Sequence, residues 1–114
     1  MFDIKQKEGD VIVVKPDFNF DIENLDNVKE LRNELESFIS GIDSPKVLIN
    51  FENVSYIDST GLGNIIRIFE MIRKKKGTLS VSNLNVDVEK IFKITTLDTL
   101  IKIFNTEAEA LKNL

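Results

Sequence analysis

Apolar positions change their period along this chain, and the changes divide it into alternating strands and helices. Phe2 and Ile4 alternate with polar residues as far as Lys7, and Val11-Ile12-Val13-Val14 follows after Glu8-Gly9-Asp10, a turn in which Gly supplies backbone freedom. The two runs predict a hairpin, ended by Pro16, which cannot donate a ladder hydrogen bond. Beyond a polar loop from Asp17 to Asn24, residues Leu25, Val28, Leu31, Leu35, Phe38, Ile39 and Ile42 recur at spacings of three and four. That is one apolar stripe of a helix, with Gly41 as its C-cap. Val47-Leu48-Ile49-Asn50-Phe51, preceded by Pro45, is β-branched and almost wholly apolar, which predicts a central strand buried on both faces.

A short link, Glu52 to Asp58, leads to a second helix whose stripe is Leu62, Ile65, Ile66, Phe69 and Ile72 and which Gly77 stops. Leu79 and Val81 alternate with Ser80 and Ser82 in a further strand, and Val88, Ile91, Phe92 and Ile94 predict a third, short helix. Leu100 to Phe104 reads as the last strand, and Thr106 with Glu109 forms a capping box that opens a terminal helix through Leu114. The order is ββαβαβαβα, an α/β arrangement with right-handed crossovers between parallel strands. At 114 residues the chain is long enough for one core and short for two, so residues 1–114 are read as a single domain.

Composition narrows the chemistry. Apolar residues make up 42% and charged residues 30%, a balance suited to a soluble folded domain, and no run approaches the ~20 apolar residues of a membrane span. The opening residues lack the apolar segment of a signal peptide, so the expected location is the cytoplasm, without membrane insertion. With neither His nor Cys, the commonest metal ligand, general base and thiolate nucleophile are all missing, and no cofactor is expected. Net charge is −4, and the basic run Arg73-Lys74-Lys75-Lys76 falls at a helix C-terminus, where it complements the dipole. Nucleic acid is therefore not an expected partner.

The segment Asp58-Ser59-Thr60-Gly61-Leu62-Gly63 joins the central strand to the second helix, so its backbone N–H groups lie at a helix N-terminus that favours anions. Asp58, Ser59 and Thr60 are all good N-cap residues, and a plain cap would account for them. Gly61 and Gly63, each costing up to ~1 kcal/mol against Ala in a helix, indicate that something approaches this backbone closely, whether the sheet or a partner. Ile68 and Met71 lie off the main stripe; they either widen the buried face or form an apolar docking surface beside Ser59.

The run Val54-Ser55-Tyr56-Ile57-Asp58-Ser59-Thr60-Gly61-Leu62-Gly63, after a strand and before an amphipathic helix, resembles the signature of the STAS family, specifically the anti-sigma factor antagonists. The likeness extends over Val47 to Phe51, Gly77 to Leu84 and Val88 to Asp98. It implies a STAS-like single domain: a mixed four- to five-stranded sheet with an N-terminal hairpin and helices packed mainly on one side. It also implies a partner switch. The unphosphorylated antagonist captures an anti-sigma factor that is a serine kinase of the GHKL type, the sigma factor is released, the kinase phosphorylates the antagonist, and a metal-dependent serine phosphatase resets it. The acceptor is the serine after the Asp, here Ser59, with Thr60 the less favoured neighbour, and the whole segment Asp58, Ser59, Thr60, Gly61, Leu62 and Gly63 contacts the partner. The family's loop after the second strand usually holds a Gly and then an Asp near the acceptor. Here that loop has no Gly and is longer; Asp21 is the counterpart, with Asn24 the alternative. Phe18 and Phe20 in it either cover the sheet end or touch a partner.

Rival functions have less support. A nucleophilic Ser59 would lack a base, the G-x-S-x-G spacing is absent, and Gly61-Leu62-Gly63 is not followed by the Gly-Lys-Ser/Thr of a phosphate loop, so the chain is not read as an enzyme. The competitor is a non-catalytic STAS adaptor or scaffold subunit of a transport or signalling complex, which would share the fold but need no acceptor serine.

Overall fold

The computed structural model describes all residues, 1–114. Five strands form one sheet in the order of the chain: β1 (Phe2–Lys7), β2 (Val11–Pro16), β3 (Lys46–Asn50), β4 (Thr78–Ser82) and β5 (Lys102–Phe104). β1 and β2 are the predicted hairpin, turned by Gly9 at φ 72° and Asp10 at φ 62°, and every later neighbour is parallel. Parallel neighbours in sequential order, joined by right-handed crossovers, must put the connecting helices on one face. Those helices are α1 (Leu25–Ile39), α2 (Ser59–Lys74) and α3 (Val86–Ile94). Their apolar residues join Ile12, Val14, Val47, Ile49, Leu79 and Val81 in the main core.

The opposite face is covered by the short helix α4 (Glu107–Lys112), whose Ala110 packs on Val11, Val13 and Leu48. Val47, Leu48 and Ile49 are each fully buried, as a strand enclosed on both faces requires. A chain of aromatic contacts, Phe2 to Phe18 to Phe20 to Phe51 to Phe92, crosses the end of the sheet where the parallel strands terminate. Phe18 and Phe20 therefore cover the sheet rather than meet a partner; they are 8% and 0% exposed.

Several boundaries differ from the sequence expectation for identifiable reasons. The last strand begins at Lys102 because Leu97–Thr99 form a 3-10 turn, and the N–H groups of Leu100 and Ile101 both donate to the Leu97 carbonyl. α2 is ended by Lys76 in the left-handed conformation (φ 60°), not by Gly77. Gly77 is required by crowding instead, since a Cβ there would lie 2.3 Å from the Pro45 carbonyl oxygen. α1 ends at Ile39, and Gly41 is not left-handed. α4 stops at Lys112, with Thr106 Oγ1 accepting the Glu109 N–H at 3.1 Å as the capping box predicts.

Candidate functional site

The capping alternatives at the start of α2 resolve to Asp58. Its backbone is extended (φ −101°, ψ −177°), and its Oδ1 accepts the Gly61 N–H at 2.8 Å. Its second oxygen, Oδ2, accepts the Ile22 N–H at 2.8 Å, so one carboxylate caps the helix and holds the preceding loop. The Gly61 N–H, seconded by Ile22 and opposed by desolvation, keeps the Asp58 carboxyl below the usual carboxylate range. Because Asp58 caps the helix, Ser59 does not. Ser59 is the first helical residue, exposed, and its hydroxyl makes no hydrogen bond, while Thr60 is half-buried.

The loop that carries Asp58 is fixed by the segment after β2. Asn19 Oδ1 accepts from the Ser55 N–H (2.8 Å), the Ser55 hydroxyl (3.1 Å) and the Tyr56 N–H (3.2 Å). The Phe20 N–H donates to Tyr56, and the Phe20 carbonyl accepts from Asp58, forming an isolated parallel bridge between Phe20 and Ile57. Asp21 Oδ1 then caps a one-turn 3-10 helix, Ile22–Asn24, by accepting both the backbone and side-chain N–H groups of Asn24. The two candidates for the loop carboxylate position thus share one turn, next to the residue that Asp58 holds. On the other side, Asn85 caps α3 and its Nδ2 donates to the Ser55 carbonyl at 3.0 Å. Asn19, Ile22 and Asn85 were not singled out from sequence; only the Asn between two buried Phe hinted at a structural polar hub.

The two glycines have different reasons. A Cβ on Gly61 would lie 1.7 Å from the Phe20 carbonyl oxygen, so the close approach is made by the chain itself. A Cβ on Gly63 would meet nothing within 4 Å, and Gly63 is exposed. Nothing inside the protein requires a glycine there.

Helix α2 presents a different side outward from the one expected. Gly61, Ile65, Ile68 and Ile72 face the sheet, and Ile68 is fully buried, which removes it from any docking surface. Met71 is half-buried against the core and shares a groove with Glu36, Ile39 and Arg67 between α1 and the far half of α2. Ile66, assigned to the buried stripe, is 37% exposed, and Leu62 is half-buried one turn before it. Both sets of residues recur at spacings of three and four, so the period could not choose between them. Asn64 decides the rotation, since it is 6% exposed and turned toward α1, where its Oδ1 accepts from Arg32 at 2.7 Å and its Nδ2 donates to the Thr60 carbonyl at 3.1 Å.

This arrangement offers an unbonded hydroxyl at a helix N-terminus, beside a carboxylate already committed to backbone donors, with no imidazole or thiol in the chain to activate it. No helix is long and apolar enough to cross a membrane.

Comparison with known proteins agrees. The STAS domain model matches residues 2–110. A Thermotoga neapolitana homolog of the protein TM1081, named for anti-sigma factor antagonism, is 33% identical over 98% of this chain and 96% of its own length. The anti-sigma-B factor antagonist of Listeria monocytogenes is 32% identical over 94% of this chain and 90% of its own. The NMR structure of TM1081 superimposes with a TM-score of 0.76 at 30% identity, over 99% of this chain and 87% of that one. These names describe regulators rather than enzymes. With the STAS domain model matched over residues 2–110 and relatives at 30% identity or more matched over nearly the whole chain, the protein belongs to the STAS-domain family.

Proposed function

We propose that this chain, acting as one folded domain in the cytoplasm, is an anti-sigma factor antagonist controlled by phosphorylation of Ser59. The observation that carries the reading is the freedom of the Ser59 hydroxyl: Asp58 takes over the capping of α2 and leaves Ser59 exposed and unbonded. Unphosphorylated protein captures an anti-sigma factor that is also a GHKL-type serine kinase, and the sigma factor is released. The kinase phosphorylates Ser59 and a metal-dependent serine phosphatase reverses it. Thr60 is the disfavoured acceptor, since it is half-buried and its carbonyl is tied to Asn64.

The energetics fit a switch. A phosphate adds about −1.5 to −2 charges at an exposed helix N-terminus, where the dipole favours an anion by roughly 0.3–1 kcal/mol, so the fold tolerates it. Burying that dianion against a partner costs several kcal/mol, and each 1.4 kcal/mol is tenfold in affinity. The partner surface comprises Asp58, Ser59, Leu62 and Gly63, with half-buried Thr60 at its margin, Ile66 in the place expected for Ile68 and Asp21 supporting the loop; Gly61, buried beneath the Phe20 carbonyl, does not reach it. Met71, facing α1, contributes at most to its edge.

Binding of purified anti-sigma factor tests this. Ser59→Ala is expected to bind as wild type and Ser59→Asp at least tenfold more weakly, both with unchanged circular dichroism. Equal binding by the two variants would instead favour a constitutive adaptor.

A further inference from the structure

Three large apolar side chains stand out from the protein where the parallel strands end: Ile22 is 59% exposed, Tyr56 55% and Val86 73%. They belong to three successive strand-to-helix connections that are hydrogen-bonded in series. Ile22 donates to Asp58, Phe20 to Tyr56, and the Asn85 side chain to Ser55. All three are exposed and none belongs to either buried core cluster. Residues 17–26, 52–63 and 83–89, which build this rim, contain no Lys or Arg, and their carboxylates include Asp17, Glu23, Asp26 and Asp87. Of the cations in the flanking segments, Lys15 is engaged by Glu52 at 2.8 Å and Arg32 by Asn64 at 2.7 Å, while Lys90, one turn after Val86 in α3, is exposed. Helix N-termini favour carboxylates, which accounts for Asp87, but it does not account for the exposed Ile22, Tyr56 and Val86. Exposed apolar groups within a predominantly acidic margin have the composition of a docking face.

We infer that the rim from Ile22 across Tyr56 to Val86 docks a protein surface of opposite character, an apolar centre surrounded by Lys and Arg. Its extent is wider than the Ser59 loop and includes the start of α3. One consequence rests on the reading of Ser59 as the switch. A phosphate added to an already acidic rim draws a cationic partner in rather than driving it off at long range, so release must come from desolvation within the contact and appear in koff, not in kon.

The test uses the full chain and a short amphipathic peptide of leucine and lysine, followed by amide chemical shifts. Shifts are expected at Ile22, Tyr56 and Val86 and lost at high salt, with no binding by a leucine–glutamate peptide. Glu23→Lys combined with Asp87→Lys, both exposed and without hydrogen bonds, lowers affinity about tenfold at low ionic strength only. Ile22→Ser combined with Val86→Ser weakens binding at every salt concentration. Shifts elsewhere on the protein, or equal binding of the acidic peptide, overturn the inference. Repeating the variants with purified anti-sigma factor separates the two claims. If the factor binds and neither double variant changes its rates, the rim is wrong and the switch stands. If the peptide maps to the rim and no anti-sigma factor binds in either phosphorylation state, the switch is wrong and the rim stands.

Discussion

Gly63→Ala separates a glycine kept for the fold from one kept for a partner. Gly in a helix interior costs about 0.8–1.0 kcal/mol relative to Ala, and a Cβ at this position meets nothing within 4 Å. Packing therefore neither opposes nor assists the change, and stability should rise by about 0.5–1 kcal/mol. At about 2.1 cal/mol/K per residue, 114 residues give an unfolding entropy of about 240 cal/mol/K, so the melting temperature should rise by about 2–4 °C. On the proposed function, this gain is forgone beside Ser59 because a partner's surface approaches the backbone here. Capture of the anti-sigma factor should accordingly weaken, by about tenfold if one close contact worth ~1.4 kcal/mol is lost. Thermal unfolding followed by circular dichroism, with titration calorimetry of the complex, measures both. A lower melting temperature would refute the geometric argument, and a higher one with unchanged affinity would refute the partner argument.

Gly61→Ala should act in the opposite sense. Its Cβ would collide with a Phe20 carbonyl that the Asp58 N–H holds, costing at least about 1–3 kcal/mol in urea unfolding. Ile68→Ala, at a fully buried position, should destabilise by about 2–5 kcal/mol, whereas Ile66→Ala should change stability by less than about 0.5 kcal/mol and weaken capture. A binding defect in a folded Ile68 variant, with none at Ile66, would reverse the assignment of the two faces of α2. The Asp58 carboxyl is held below its ordinary value of about 3.9, so its contribution to stability is full above that pH and is lost as pH falls through the lowered value. The gap in melting temperature between wild type and Asp58→Asn should thus be constant from neutral pH down to about 4 and close only below it; a gap that closes near neutrality would contradict the linkage.

The strand and helix order was legible because each element has one dominant period, and the hairpin, the doubly buried β3 and the presence of crossover connections followed from it. The motif at Asp58 to Gly63 was legible only as a helix start, and resemblance to a family had to supply its use. What the period could not give was rotation. Around α2, Leu62, Ile66 and Phe69 keep the same spacing as Ile65, Ile68 and Ile72, and the choice between them was made by Asn64 pairing with Arg32 thirty-two residues earlier. The division of labour between Asp58 and Ser59 was hidden for the same reason. Asp58 caps locally through Gly61, but its second carboxylate oxygen is taken by Ile22, a residue of another loop. Helix stops were misplaced where crowding, as at Gly77 against Pro45, stood in for the left-handed geometry usually read from glycine.

The central claim is the identity of the acceptor. Incubation of the chain with its anti-sigma factor kinase and ATP, followed by intact mass and peptide mapping, should show one phosphate, on Ser59, in wild type and none in Ser59→Ala. A phosphate mapped to any other residue, or stoichiometric phosphorylation of Ser59→Ala, would contradict the account.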